Sequence, residues 1–395
     1  MLFLIDVANT STEQNPAAHF LRDDLRVTVL VGIAHAFSHF LQLIGTPLLS
    51  LIRDEFDLTF AALGALMTVT YTISGLMQFP AGMAVDRFGG RVVLVFGLTA
   101  MGLGTLMIAL APSYAWMVVA SAVIGVGNST FHPADMALLN AKVTPARLGY
   151  AFSIHSVAGS TGWIFAPMFA AAIAGAYGWR VAMGAGAVLV LIFVAYLAVQ
   201  PSLAKDDSEP AAIPAHRTAN KPLAGVLLAP AVILCFVFFF LNSIAYSSFT
   251  SFGPTAFMAL HEMPLVAASG VLTAFFVGVT LGTLAGGAAA ARTREHGAVT
   301  AAGCAIAAFF SVVIAWPVLP AAMVTVCVVL VGIGLGSTAP SRDILVRESA
   351  PANARGKVYG FVYSGLDVGA ALAPLVLGWF LDHQRAGWVF VTAGV

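Results

Sequence analysis

The chain contains one segment twice, at positions 125–149 and again 207 positions later. The two copies read GVGNSTFHPADMALLNAKVTPARLG and GIGLGSTAPSRDILVRESAPANARG, and they align without a gap. The same offset continues beyond the segment, because it pairs Gly162 with Gly369 and Pro167 with Pro374. A long-period internal repeat indicates that one structural unit occurs twice. The sequence therefore predicts two homologous halves, each about as long as the offset.

Composition places both halves in a membrane. Hydrophobic residues make up 59% of the chain and charged residues 9%, with a mean hydropathy of +0.92. A soluble globular domain has a charged fraction nearer a quarter. The formal net charge is zero, so no basic surface for nucleic acid is expected. The chain also lacks a zinc-protease helix and a phosphate-binding glycine loop ending in Lys-Ser or Lys-Thr. It is therefore predicted to be neither an enzyme nor a cofactor-binding protein.

Apolar stretches long enough to cross about 30 Å of hydrocarbon recur along the chain. Eleven complete spans are predicted, at 27–52, 60–83, 91–111, 114–140, 148–175, 180–200, 225–253, 265–291, 297–316, 319–345 and 357–382. A twelfth begins at Gly387 and stops at Val395, so we expect the last helix to be truncated. The predicted organisation is a cytoplasmic tail (1–26), a six-helix half (27–200), a cytoplasmic linker (201–222) and a second half (223–395) with an incomplete last helix.

The distribution of positive charge predicts the orientation. With the N-terminus inside, all but three of the 18 Lys and Arg residues fall in cytoplasmic segments or helix ends, the exceptions being Arg53, Arg180 and Arg385. Positively charged loops stay on the cytoplasmic side. We therefore expect a multi-pass protein of the inner (plasma) membrane with a cytoplasmic N-terminus.

Two spans carry polar side chains at helical spacing. His35, His39 and Gln42 share one face of the first span, because positions i, i+4 and i+7 lie together on a helix. Asn128, His132 and Asp135 are spaced identically on the fourth span, and the intervening Pro133 predicts a kink. Polar groups at this depth usually face a bundle interior or a water-filled cavity. Hydrogen bonds between helices without a ligand remain an alternative for the first stripe.

Further polar residues lie within other spans. We predict that substrate contacts the two stripes, apart from Asp135, together with residues of the fifth, seventh and eleventh spans, namely His155, Asn242, Tyr246 and Tyr363. Asp367 lies deep in the eleventh span, where a carboxylate must be partnered or protonated. Asp367, or Asp135 together with His132, is therefore the predicted proton-coupling group. Small residues on the fifth span, such as Gly159 and Gly162, are also explained by close helix packing.

The loop between the second and third spans reads GMAVDRFGGRVVL and resembles the signature loop of the major facilitator superfamily. The matching positions include Gly82, Asp86, Arg87, Gly89 and Arg91, whereas Gly90 stands where the family usually has a basic residue. The resemblance implies an all-α membrane fold of two six-helix halves, a cavity lined by helices 1, 4, 7 and 10, and contact of Asp86 with the other half near the start of helix 11. The phrase FHP at 131–133 and the sequence of the fifth span are similar to the fosmidomycin-resistance group of drug exporters in this superfamily.

The repeat also predicts a gate. It places Arg342 at the position equivalent to Asp135, so matching depths of the two halves carry opposite charges. We expect these residues to pair when the cytoplasmic side closes and to separate when it opens. The alternative is that Arg342 pairs within its own half, with Asp343 or Glu348.

The predicted function is secondary transport of a small organic solute, drug-like or metabolite, by alternating access and with a proton as the coupling ion. The expected partners are that solute and the lipid bilayer, and the protein is expected to be a monomer without a resident metal. One alternative is transport of a transition metal by His35, His39 and His132, although the two nitrogens of His35 and His39 alone make an incomplete site. The other is a membrane sensor or scaffold that binds without transporting.

Overall fold

A computed structural model describes residues 16–200, 203, 227–317, 319–349 and 355–394. Most of the predicted tail and, apart from Leu203, the predicted linker lie outside these residues. Within the described residues the regular structure is helical, and no strand is present. We call the membrane face at which the first helix begins the first face, and the opposite one the second face.

The first half contains eight α-helices, because two of its six spans are interrupted. They are α1 (Pro16–Leu43), α2 (Leu49–Phe56), α3 (Phe60–Phe88), α4 (Gly90–Ala109), α5 (Tyr114–Asn128), α6 (Phe131–Lys142), α7 (Leu148–Tyr177) and α8 (Trp179–Ala198). A short 3₁₀ turn, Thr46–Leu48, joins α1 to α2 within the first span. The first helix begins before the predicted span at residue 27, because its first turns are helical but too polar to be recognised by hydropathy.

The second half repeats this order with fewer interruptions. Its helices are α9 (Pro230–Thr250), α10 (Gly253–His261), α11 (Leu265–Ala290), α12 (His296–Ile314), α13 (Ala321–Ser349), α14 (Arg355–Asp382) and α15 (Ala386–Ala393). Eleven helical segments in the described residues are long and apolar enough to cross a membrane. The predicted all-helical membrane fold with eleven complete spans is therefore confirmed.

The fourth span is broken, and its repeat partner is not. Helix α5 ends at Asn128 and α6 begins at Phe131. Pro133 follows the break, and a proline disfavours a regular helix because it lacks an N–H and its ring crowds the carbonyl four residues earlier, but proline alone is not sufficient. The equivalent Pro340 lies inside the continuous α13. The predicted kink is thus a two-residue interruption at Ser129 and Thr130, and only the first half contains it.

Equivalent glycines let the helices within each half pack in the same way. A Cβ at Gly125 would lie 2.6 Å from the carbonyl oxygen of Thr70, and a Cβ at Gly332 would lie 2.4 Å from that of Phe275. Both positions therefore require glycine for the helices to approach closely. The sequence repeat is accordingly a repeat of helix packing.

The halves contact each other through two symmetry-related helix pairs, α3 with α14 and α7 with α11. Hydrogen bonds between the two halves lie from the middle of the bundle towards the second face. Thr46 donates to the carbonyl oxygen of Thr250 at 2.7 Å, and Thr68 donates to that of Ala371 at 2.6 Å. Towards the first face, residues 76–80 of α3 are all exposed. The halves are therefore tightly joined at the second face and spread apart towards the first.

One carboxylate reinforces the contact at the second face. Asp382, the last residue of α14, accepts hydrogen bonds from the backbone N–H groups of Phe60 and Ala61, at 2.7 and 2.9 Å. These donors belong to the first turn of α3, whose N–H groups have no partner within the helix. The repeat places Gly175 at the position equivalent to Asp382. Only one of the two related contacts therefore has a carboxylate cap.

Candidate functional site

A cavity of about 530 Å³ lies between the halves. Its lining comes from both halves, and most of its area is apolar. The polar or charged residues that line it are His35, Ser38, His39, Gln42, Thr46, Thr70, Tyr71, Ser74, Gln78, Thr105, Ser121, Asn128, His132, Asn242, Ser243, Tyr246, Ser247, Thr250, Ser251, Arg342 and Asp367. This volume and this combination of apolar surface with polar groups are typical of small-molecule sites.

A chain of hydrogen bonds orders the amide groups on the first-half wall. Gln42 of α1 donates from Nε2 to Oδ1 of Asn128 on α5, and Asn128 donates from Nδ2 to Oγ of Ser74 on α3 at 2.8 Å. The chain links three helices at the cavity surface. Both amide side chains are therefore held in fixed orientations before a ligand enters.

Asp135 lies behind the cavity wall, between α1 and α7. Its Oδ2 atom is 3.1 Å from Nδ1 of His35 and 2.9 Å from Nε2 of His155. The carboxylate is completely buried, and both histidines are at least 95% buried. An isolated buried carboxylate is very unfavourable. The hydrogen bond with His155 and the polar contact with His35 therefore allow Asp135 to occupy this position.

The break in the fourth span separates the polar stripe predicted there. Asn128 and His132 line the cavity, whereas Asp135 does not. In an uninterrupted helix all three would share one face. Asp135 contacts His35 of α1 and His155 of α7 instead. Of the predicted stripe, Asn128 and His132 therefore reach the cavity and Asp135 does not.

Gly159 makes room for the histidines of α1. A Cβ at this position would lie 2.5 Å from Cδ2 of His35 and 3.0 Å from Cε1 of His39. At Gly162 a Cβ would lie 2.0 Å from the carbonyl oxygen of Ala36. These distances support the interpretation that the small residues of the fifth span allow close helix packing.

Three stacked rings connect the two halves next to Asp135 and its two histidines. The rings of His39 and Trp163 are parallel with centroids 3.9 Å apart, and Trp163 stacks on Phe276 of the second half at 5.2 Å. All three residues line the cavity. The stack therefore forms an aromatic wall that spans the interface.

The second-half wall of the cavity carries one arginine and one aspartate. Arg342 of α13 and Asp367 of α14 line the cavity, together with Asn242 and Tyr246 of α9. The guanidinium of Arg342 lies 4.4 Å from the ring centroid of Phe239. Its Nε donates to Oδ1 of Asp343 at 3.1 Å.

Seven of the nine residues predicted to bind substrate line this cavity. The other two do not. His155 is buried against Asp135, and Tyr363 donates from its hydroxyl to Oδ1 of Asp343 at 3.0 Å. Helical spacing indicated which way each side chain points on its own helix, but it could not indicate the rotation of α7 and α14 about their axes.

The signature loop forms the turn between α3 and α4. Gly89 ends α3 with a φ of +81°, a backbone conformation that favours glycine. Arg91 donates to the carbonyl oxygen of Ala198 and so fixes the start of α4 to the end of α8. A Cβ at Gly90 would lie 2.9 Å from Cγ of Leu138 on α6, which explains the absence of the usual basic residue.

Asp86 is the carboxylate of the signature loop. It lies in the last turn of α3, and within the described part of the chain it makes no hydrogen bond or ion pair. A Cβ at Gly82 would have no atom within 4 Å, and Arg87 lies over the ring of Phe88 at 5.3 Å. The expected contact of Asp86 with the second half stays a prediction for a state in which the first face is closed.

Some residues that line the cavity were not identified from the sequence. Two of them could not have been, and two others could. Trp163 and Phe276 are apolar residues within apolar spans, so nothing in the pattern distinguished them from lipid-facing side chains. Ser74 and Gln78 are polar residues in the second span, and their depth could have indicated a cavity. Polar groups of a transmembrane helix rarely face lipid, which is the same reasoning that identified the two stripes.

Comparisons with known proteins agree with this architecture. A family model for the Major Facilitator Superfamily matches residues 31–374. The fosmidomycin resistance protein of Escherichia coli (strain K12) is 27% identical over 374 residues, covering 91% of this chain and 87% of that protein. The probable nitrate/nitrite transporter NarK2 of Mycobacterium tuberculosis (strain ATCC 25618 / H37Rv) is 26% identical over 350 residues, covering 85% and 84%.

Solved structures show the same fold at low sequence identity. A bacterial homologue of the human lysosomal transporter Spinster, inward-facing and unoccupied, has a TM-score of 0.77 at 16% identity and covers 93% of this chain and 83% of its own. The nucleoside transporter NupG has a TM-score of 0.72 at 16% identity, covering 94% and 96%. With two repeated halves, eleven long apolar helices, an interfacial cavity and a family match over most of its length, this multi-pass membrane protein belongs to the Major Facilitator Superfamily of transporters.

Proposed function

We propose that the chain moves a small organic solute across the membrane by alternating access, with the cavity as the substrate site. The observation that carries this proposal is a cavity with both apolar and polar lining between two halves that are joined at one face and spread apart at the other. Relatives are named for fosmidomycin resistance and for nitrate and nitrite transport, so small solutes are consistent with the family. Transport requires no catalytic group, which agrees with the prediction that the chain is not an enzyme.

We assign the first face to the cytoplasm of an inner-membrane protein. The support is the distribution of Lys and Arg, which favours this face. Of the three exceptions, Arg180 is bound to Glu55 through Nε and Nη2, at 2.9 and 2.6 Å. On this assignment the space between the halves opens towards the cytoplasm.

Proton coupling is assigned to Asp367 as the first candidate. It lines the cavity in the second half, whereas the alternative pair, Asp135 with His132, lies in the first. Burial disfavours the charged form of a carboxylate, so a cavity group can take up a proton in one state and release it in the other. The charged or titratable side chains that share its cavity are Arg342, His35, His39, His132, Tyr71 and Tyr246.

Counterflow into proteoliposomes tests the transport proposal. Vesicles loaded with one unlabelled solute should accumulate the same labelled solute transiently, in a panel of organic acids, neutral drugs, organic cations and divalent metals. Protein-free vesicles provide the control. Uptake of no compound would contradict transport and favour a sensor or scaffold.

Transition-metal transport is the second candidate, and one observation favours it. His35, Asp135 and His155 each offer a ligand atom, and these atoms lie within 4.8 Å of one another. This set differs from the predicted His35, His39 and His132. Counterflow of Zn²⁺ or Co²⁺, without counterflow of any organic solute, would select this alternative.

The gate between Asp135 and Arg342 is also proposed. Here Asp135 contacts His35 and His155, while Arg342 contacts Asp343, so the two are engaged within their own halves. We propose that they pair when the first face closes, since the planar guanidinium can bind a carboxylate bidentately.

Charge reversal is expected to reveal such a pair. Asp135→Arg and Arg342→Asp should each increase the population open at the first face, and the double exchange should restore it. For a coupling of about 1–3 kcal/mol, the ratio of the two populations, open and closed at the first face, should change roughly 5- to 150-fold. Cysteine accessibility from the first face measures the population, and size-exclusion elution verifies folding. A double variant no closer to wild type than either single variant would eliminate the gate.

A further inference from the structure

We propose that the solute is an organic anion and that Arg342 binds its carboxylate or similar oxyanion, an inference that rests on the proposed transport function. Arg342 is the only lysine or arginine among the described residues that line the cavity. It is thus the one permanent positive charge that this lining offers to a ligand.

The arginine is held so that its terminal nitrogens remain available. Its Nε donates to Asp343, and its carbon Cζ lies over the ring of Phe239. Asp343 also accepts from the hydroxyl of Tyr363, which fixes the carboxylate. In the described part of the chain no group accepts a hydrogen bond from the two terminal nitrogens of Arg342.

This geometry favours a planar or tetrahedral oxyanion over other ligands. A guanidinium presents its donors as a rigid fork, which matches two oxygens of a carboxylate or a phosphate-like group. The side chain of Arg342 is only 16% exposed, so a ligand bound to these donors is partly shielded from solvent. The ion pair with Asp343 does not satisfy the fork, because it uses Nε alone.

The rest of the cavity is suited to the body of such an anion. Gln42 and Asn128 offer amide groups on the opposite wall, and the ring stack of His39, Trp163 and Phe276 offers an aromatic surface. A ligand with an apolar or aromatic body and one anionic end would contact both halves. Contact with both halves is what couples a bound solute to their relative movement.

Asp367 contributes selectivity to the same site. It is the only aspartate or glutamate among the described lining residues. In its charged form it repels an anion, and in its protonated form it does not. Binding of the anion and of a proton would therefore support each other, which connects the substrate class to the proposed coupling ion.

Binding of three compounds of similar size and different charge tests the inference. Benzoate, benzamide and benzylammonium are titrated into purified full-length protein, and binding is measured by calorimetry. We expect benzoate to bind at least about tenfold more tightly than the other two. Arg342→Gln should remove this preference, and Arg342→Lys, which keeps the charge but loses the fork, should weaken benzoate binding about tenfold, the effect of about 1.4 kcal/mol.

Arg347→Gln is the matched control, because Arg347 lies on the same helix and is exposed outside the cavity. It should retain benzoate binding, and unchanged elution and thermal stability verify that each variant is folded. Equal binding of the three compounds, binding of none, or retention of the preference in folded Arg342→Gln would each overturn the inference. Counterflow of neutral or cationic solutes would leave the transport proposal intact, so the two proposals fail separately.

Discussion

Replacement of Gly64 by valine is expected to reduce transport by about tenfold or more. A Cβ at this position would lie 2.3 Å from the carbonyl oxygen and 2.7 Å from the carbonyl carbon of Pro374 in the other half. These are backbone atoms, so no side-chain rotation can relieve the overlap. Overpacking of this kind costs about 1–3 kcal/mol. The second face should therefore close incompletely, while packing within each half is unchanged.

The position of the equilibrium can be measured separately from transport. In a cysteine-free background, Thr46→Cys places a thiol where Thr46 is 2% exposed and contacts the other half. We expect Gly64→Val to increase its reaction with an impermeant maleimide added at the second face. Gly175→Val is the control, because no atom lies within 4 Å of a Cβ at Gly175. Wild-type transport together with an unreactive thiol in Gly64→Val would contradict the closed contact at the second face.

Asp367→Asn is expected to abolish accumulation driven by a proton gradient but to preserve exchange of substrate. Asparagine has the size of a protonated aspartate, so the cavity retains its shape while losing the group that carries the proton. The relevant comparison is uptake with and without an imposed pH gradient, measured in the same proteoliposomes. If a pH gradient drives accumulation in Asp367→Asn to the same level as in the wild type, Asp367 is excluded from proton coupling.

Two further variants complete this test. Asp54→Asn alters a carboxylate whose side chain is 69% exposed near the second face, and it should accumulate substrate normally. Asp135→Asn tests the other candidate. If gradient-driven accumulation is unchanged in both Asp367→Asn and Asp135→Asn, proton coupling by either carboxylate is eliminated.

The spans and the repeat were predictable because each depends on local properties. A helix must satisfy its backbone hydrogen bonds within the membrane, so apolar length alone identifies it. The same reasoning placed His39, Gln42 and Asn128 at an internal surface, because their alternative was contact with lipid. These features follow from individual helices and require no knowledge of how the helices are arranged.

The contacts of Asp135 could not be predicted in the same way. Its contacts with His35 and His155 depend on how α1, α6 and α7 pack against one another. Both are consequences of packing among several helices. The aromatic wall formed by His39, Trp163 and Phe276 is a similar case, since it exists only where the halves meet.

On the proposed alternating access, the carboxylate cap at Asp382 favours the state in which the second face is closed. When the second face opens, Phe60 and Ala61 lose two hydrogen bonds to a charged acceptor, and bonds of this kind contribute about 1.5–3 kcal/mol each. Water replaces part of this energy, and the related contact between α7 and α11 at the same face has Gly175 in place of the carboxylate. An unloaded protein should therefore rest with the second face shut. Substrate arriving from that face would then wait for a rare opening, whereas substrate arriving from the first face would find its site already accessible.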